Sequence, residues 1–347
     1  MTANLNSNRR TFLKGSVGAL ALTTAAGCLG DSGSGSGDAP GADGEMIMTT
    51  STETTSAYAM SQAIANRVNQ NTDAVTVDAR PSEGTNANIG RLSRDEADIS
   101  YIQNWTASKV ANNEAPFEDI EFTPTQVFHL YDLAWLLTSP NDGWTSVSDI
   151  QPNSRVSPTP RGSGTAEMLQ HSLDYVVDDY ERVSISYGNQ ASAMSEGRLD
   201  VGAATFINES VEPGWVQQMK STVDLRVLQW PEDAVSQLED DPAVIISDID
   251  MGGFEGYAYA PDTLHTPTLA YNFVVRNDFS YDTLYSFLET LWAQREALQE
   301  DNALLGGLAD GEFWTQNAYD TLPFHPAAAD FYQEKGVWSD EFEVADE

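Results

Sequence analysis

The chain has 347 residues, 53 of them acidic against 17 basic, giving a formal charge of −36, while 41% of the residues are hydrophobic. So negative a body repels nucleic-acid phosphates and anionic lipid, which excludes both as expected partners. Apolar content at this level, with the acids scattered rather than gathered in a tail, excludes a disordered chain. The carboxylate excess is also the composition expected of a protein from an extreme halophile. At ~1 M salt the Debye length is only ~3 Å, so the net charge does not bar an anionic ligand.

In chain order, residues 1–28 read as an export signal. The apolar run from Ser16 to Gly27 is too short to span a bilayer and follows Arg9, Arg10 and Lys14. "NRRTFLKG" resembles a twin-arginine signal, with Asn8 where Ser or Thr is usual, and "AAGC" resembles a lipobox, with Ala25 where Leu is commonest. The expectation is export in the folded state, cleavage before Cys28 and a lipid on its sulfur that anchors the protein to the outer face of the cell membrane. A spare thiol in an N-terminal tail is the plainer alternative. Cys28 is the single cysteine, so no disulfide forms within the chain. Residues 29–45, rich in Gly, Ser and Asp, read as a flexible tether, and the working protein begins near Met46.

The remaining residues, about 300, suffice for two domains. "AYAMSQAIANRVNQN" and "TNANIGRLSRDEA" have helical periodicity, whereas "AVTVDARP" and "DISYIQN" look like strands. A second such series follows, with a helix opened by "GSGTAEMLQHSLDYV", a strand at "RVSISYG", a helix at "NQASAMSEGRL" and a strand at "DVGAATF". This βαβα rhythm predicts an α/β protein with parallel sheets covered by helices. Two β-rich segments, "VFHLYDLAWLLTSP" and "TLAYNFVVRND", bracket the second series and are the natural crossings between lobes.

Catalytic signatures are missing. The histidines at 129, 171, 265 and 325 are far apart in sequence and form no HExxH pair, so neither a metal nor a cofactor is expected. There is no G-x-S-x-G elbow and no phosphate loop, and Glu167 stands where a dinucleotide fingerprint needs its third glycine. Binding is better supported. In "TPRGSGTAEML" small residues follow a strand and open a helix, exposing backbone N–H groups at the positive end of the helix dipole, where a carboxylate fits. A plain helix cap explains the same residues equally well. The Thr/Ser run "TTSTETTSAYAM" before the first helix has the same two readings.

Four elements then resemble, in order, the TAXI-type solute-binding proteins of tripartite ATP-independent periplasmic (TRAP) transporters. "RLSRDEADISYIQN" is similar to that family's GEADLAFVQ element, "GSGTAEML" to its GSGTE stretch, "SAMSEGRLDVGAATF" to its DGQIDAAFF element and "LPFHPAAADFYQEKGVW" to its HPGAIKYYKEKG close. The first loop departs from the family's glycine-rich pattern, with fewer glycines and an additional Glu53, which leaves the solute open.

The resemblance implies a type II periplasmic-binding-protein fold, two α/β lobes with a ligand cleft between them, joined by two hinge strands. Lobe I is expected at 46–135 and 275–342, and lobe II at 136–274. It further implies a receptor, not an enzyme, that captures a small carboxylate or amino acid and delivers it to a TRAP membrane permease. A receptor for an ATP-driven importer and an anchored enzyme using the same cleft are the alternatives. At the matching positions Gly162, Ser163, Gly164 and Thr165 are expected to hold a carboxylate, with Thr52, Thr55 and Tyr58 closing from the other lobe. Gln103 and Asn104, ending one strand, and Phe206 and Asn208, ending another, are expected to face the cleft. Arg161 either contacts the ligand or pairs with a surface carboxylate, and Trp105 either walls the cleft or joins the core. The sequons at Asn104 and Asn208 fall on this site and are read as coincidental.

Overall fold

The computed structural model describes residues 40–53, 55–160 and 164–346. Arg9, Arg10, Cys28 and the tether as far as residue 39 lie outside the described residues, and so do Arg161, Gly162 and Ser163.

The first half runs β1 (Glu45–Thr49), α1 (Ser56–Asn69), β2 (Thr76–Arg80), α2 (Thr85–Ser93), β3 (Ile99–Gln103) and α3 (Asn104–Ala111). A long strand, β4 (Pro124–Ser139), leads into β5 (Arg155–Ser157), α4 (Gly164–Leu173), β6 (Glu181–Arg182), α5 (Gln190–Ser195) and β7 (Val201–Ile207). Then follow α6 (Gly214–Thr222), β8 (Arg226–Leu228), α7 (Glu232–Glu239) and β9 (Ile245–Asp250). A second long strand, β10 (Thr263–Arg276), returns to the first half, which closes with α8 (Tyr281–Ala293), α9 (Leu298–Asp301) and α10 (Pro326–Lys335).

Local chemistry sets these bounds. Helix α1 starts where the Thr55 hydroxyl accepts the Tyr58 N–H at 3.2 Å, and it buries Ala57, Met60, Ile64 and Val68 at three- and four-residue spacing. Helix α2 stops at Ser93 rather than continuing to Ala97. Asp95 takes a left-handed φ of 53° and the Glu96 N–H returns to the Arg91 carbonyl, which closes the helix. The strand expected at "RVSISYG" pairs only over Glu181–Arg182, and Tyr187 lies in the short 3₁₀ turn that follows.

Ten strands form one sheet in the order β2-β1-β3-β10-β4-β7-β5-β6, with β8 added to β4 and β9 to β10. β1, β2 and β3 are mutually parallel, as are β5, β6 and β7, so each half repeats the same βαβαβ unit with its first strand in the middle. β4 and β10 are antiparallel to one another and separate the two triplets. Each long strand changes partners midway. Residues 263–268 of β10 pair with β9 and 268–276 with β4, while β4 passes from β10 to β7 at Leu133 and Ala134. Residues 271–275 of β10 pair with β3 of the first half. This is the two-lobe topology of type II periplasmic-binding proteins, with β4 and β10 as the crossing strands. β4 is buried at every position but Leu133, as expected of a central strand covered on both faces. Among the described residues no helix is long and apolar enough to cross a membrane.

Candidate functional site

A cleft of about 1060 Å³ opens between the halves, and the carboxyl ends of all six parallel strands feed it. From the first half come Ser51 and Thr55 after β1, Glu83, Thr85 and Asn86 after β2, and Gln103 at the end of β3. From the second half come Gly164 and Thr165 after β5, Tyr187 after β6, and Val211 to Trp215 after β7.

The floor is aromatic and belongs to the crossing strands. Alternate residues of β4, namely Tyr131, Leu133 and Trp135, share the cleft face, as the two-residue period of a strand requires. Tyr271 of β10, paired with both Tyr131 and Gln103, stacks on Tyr131 at 4.8 Å and on Tyr101 at 5.1 Å. Trp135 stacks on Tyr187 at 5.9 Å, and Tyr187 packs on Trp215 at 5.0 Å. Burial raises the phenol pKa of Tyr101, Tyr131 and Tyr271, and that of Tyr187 to about 12, so at neutral pH all four remain uncharged hydroxyls. Tyr271 and Thr165 both line the cleft, so the floor reaches the start of α4.

Gln103 combines two roles. Its carbonyl oxygen caps α3 by accepting the Thr106 N–H at 2.8 Å, while its buried Nε2 has no hydrogen-bond partner among the described residues. A Cβ on Gly164 would lie 2.1 Å from that nitrogen, so only glycine lets the amide reach the first turn of α4. Nearby, the buried Thr159 has φ 79°, a conformation that costs a β-branched residue about 1–3 kcal/mol.

The remaining expected residues divide. Thr55, Gln103, Gly164 and Thr165 line the cleft. Thr52 is exposed and its carbonyl accepts the Thr55 hydroxyl, and the Tyr58 hydroxyl accepts Gln62 Nε2; neither residue lines the cleft. Asn104 is a correction. Its amide donates to the Ala243 carbonyl and its oxygen accepts the Ala270 N–H, so it fastens strand to loop behind the cleft. Phe206 is a second: Thr205 and Ile207 take the cleft face of β7, so Phe206 faces the other way and stacks on Phe254 at 4.0 Å. Asn208 is a third, because at φ 45° its side-chain oxygen accepts the Asp132 N–H and holds the turn after β7. Trp105 donates to Glu167 at 3.2 Å beside the Lys109–Glu167 ion pair of 2.9 Å, where α3 meets α4.

The aromatic floor went unforeseen, because an aromatic in a strand reads first as core. The alternation Tyr131, Leu133, Trp135 was its one sequence signal, ambiguous until β4 was paired.

A family model described as "NMT1-like family" matches residues 48–336, and the chain therefore belongs to the NMT1-like family. No curated protein matches. Among solved structures, the chain is similar to a protein of Archaeoglobus fulgidus at 10% identity, covering 86% of this chain and 100% of that one, TM-score 0.47. The periplasmic aliphatic sulphonate binding protein of Escherichia coli is 11% identical over 84% of this chain and 78% of its own, TM-score 0.43. A periplasmic substrate-binding protein of an ABC transporter from Coxiella burnetii is 10% identical over 75% and 96%, TM-score 0.42.

Proposed function

We propose that this member of the NMT1-like family is an extracytoplasmic solute receptor. It captures a small carboxylate between its two lobes, 46–135 with 275–342 and 136–274, and delivers it to an ion-coupled TRAP-type permease. The observation that carries the reading is the convergence of six parallel-strand ends, three from each half, on one cleft. Contacts from both halves exist together only when the cleft is shut, so a ligand that bridges them shifts the open–closed equilibrium through differential affinity. Among the described lining residues there is no histidine, cysteine or lysine, and besides the carboxylates of Glu83 and Glu212 the polar side chains are mainly hydroxyls and amides suited to hydrogen bonding.

A carboxylate is the favoured solute because Gln103 Nε2 and the first turn of α4 meet at Gly164. The motif order, rather than the fold, favours a TRAP permease over an ATP-driven importer, since this fold serves both. Lipidation of Cys28 after twin-arginine export would tether the receptor to the outer membrane surface of its cell, and the charge of −36 suits work in concentrated salt.

A thermal-shift screen of the purified protein in 2 M KCl against dicarboxylates, amino acids, keto acids and neutral sugars tests the reading. A ligand at 100 times its dissociation constant adds about 2.7 kcal/mol of stability. Stabilisation by a carboxylate that is recovered unchanged is the expected result; conversion of the compound, or no response to any solute, contradicts it. Uptake with the permease that follows the ion gradient and not ATP hydrolysis is expected of the TRAP assignment.

A further inference from the structure

The two charged groups among the described lining residues already have partners. Glu212 pairs with Lys220 at 2.5 Å and accepts the Tyr257 hydroxyl at 2.7 Å. Glu83 pairs with Arg91 at 3.0 Å, and that guanidinium holds its carboxyl below the usual range. No arginine or lysine is among the described lining residues. The described lining residues thus offer no cationic counter-charge for a second anionic end, and a carboxylate desolvated without a partner costs several kcal/mol.

Two buried N–H donors of the cleft lining have no partner among the described residues, the Gln103 amide and the Trp135 indole, and the amide is the one that meets a helix start. Gln103 is 1% exposed and its Nε2 is unpartnered, and it abuts Gly164 at the start of the ten-residue helix α4. Thr165 follows in the cleft wall, and Tyr271, the β10 partner of Gln103, continues into the aromatic floor. Four residues along β4 from Tyr131, roughly 13 Å at ~3.3 Å per residue, the walls change character. There stand Trp135, Tyr187 and Trp215, with Ile207 and the 44%-exposed Val211. Two indoles packed on either side of Tyr187, with an exposed valine in the same cleft lining, offer a surface that an apolar body covers.

We propose that the cleft takes a monocarboxylate with a ring-shaped or branched apolar body, its carboxylate at Gln103 and the first turn of α4 and its body against Trp135, Tyr187, Trp215 and Val211. The proposal rests on the receptor reading above and specifies its solute class.

Three probes separate the possibilities: 3-phenylpropionate, its primary amide and the diacid glutarate, each titrated into the full chain in 2 M KCl with tryptophan fluorescence as readout. The expected order is 3-phenylpropionate first, with at least tenfold weaker binding of both the amide and glutarate. Gln103→Glu keeps the α3 cap acceptor while removing the donor and adding a like charge, and is expected to weaken 3-phenylpropionate more than tenfold. Trp215→Leu is expected to weaken it about tenfold. Because Trp215 also packs into the core, Val211→Ser at the exposed position provides the second variant, with an expected two- to fourfold loss in a chain whose unliganded Tm is unchanged. Glutarate binding as tightly as 3-phenylpropionate, or the amide matching the acid, overturns the proposal and leaves the receptor standing. Silence toward all three probes also overturns it, and the receptor falls as well only if the wider solute screen is silent.

Discussion

Strands β3 and β7 occupy equivalent places in the two halves, yet their ends behave differently. β3 turns straight into α3, with Gln103 as its cap and Tyr101 and Gln103 on the cleft face. β7 ends in Ile207, and the chain then takes two left-handed residues, Asn208 at 45° and Glu209 at 56°, before reaching α6. The cleft face of β7 is therefore Thr205 and Ile207, with Phe206 in the core behind and Asn208 bound to β4. The carboxyl end of a parallel strand locates a site, but only its two-residue parity decides which side chains face it.

Several substitutions sharpen that contrast. Phe206→Ala removes a fully buried ring and is expected to cost about 3–5 kcal/mol in chemical denaturation while leaving the affinity for 3-phenylpropionate within twofold; a selective loss of affinity would return Phe206 to the cleft. Asp132→Ala orphans Gln316 and Asn317, which donate to this 3%-exposed carboxylate, and is expected to cost about 3 kcal/mol by the same measurement. At the β3 end, Gly164→Ala forces the new methyl into Gln103 Nε2. Its cost is about 2 kcal/mol, with binding weakened more than tenfold by titration, the reverse of the Phe206 pattern. Asn208→Ala loses one buried hydrogen bond at a left-handed position, about 1–2 kcal/mol, with affinity unchanged. The smallest effect is expected from Glu167→Gln, which weakens a partly exposed ion pair between α3 and α4 by about 0.5 kcal/mol and shows as an approximately twofold faster ligand dissociation in stopped flow.

Much of the architecture was legible because its period is local. Helix α1 and strands β2 and β3 fall within two or three residues of their expected bounds, and the two β-rich crossings are β4 and β10. What the local pattern lacked was pairing. Nothing near "RVSISYG" shows that the ladder on β5 spans only Glu181 and Arg182, and nothing near "TLAYNFVVRND" shows that β10 already pairs with β3 of the first half from residue 271 onward. At the site, Gln103 and Gly164 were legible as a strand end and a helix start, whereas their mutual contact depends on how the halves meet. The aromatic floor needed the register of β10 on both neighbours before Tyr101, Tyr131 and Tyr271 became one surface.

The measurement that bears most directly on a cleft shared by both halves is isothermal titration of the full chain in 2 M KCl with carboxylates from the screen, with the ligand recovered afterwards for NMR. One site per chain, abolished by Gly164→Ala at the second-half edge and by Gln103→Glu at the first-half edge, with the ligand chemically unaltered, is the predicted result. Binding that survives both substitutions, or a ligand recovered as product, would contradict it.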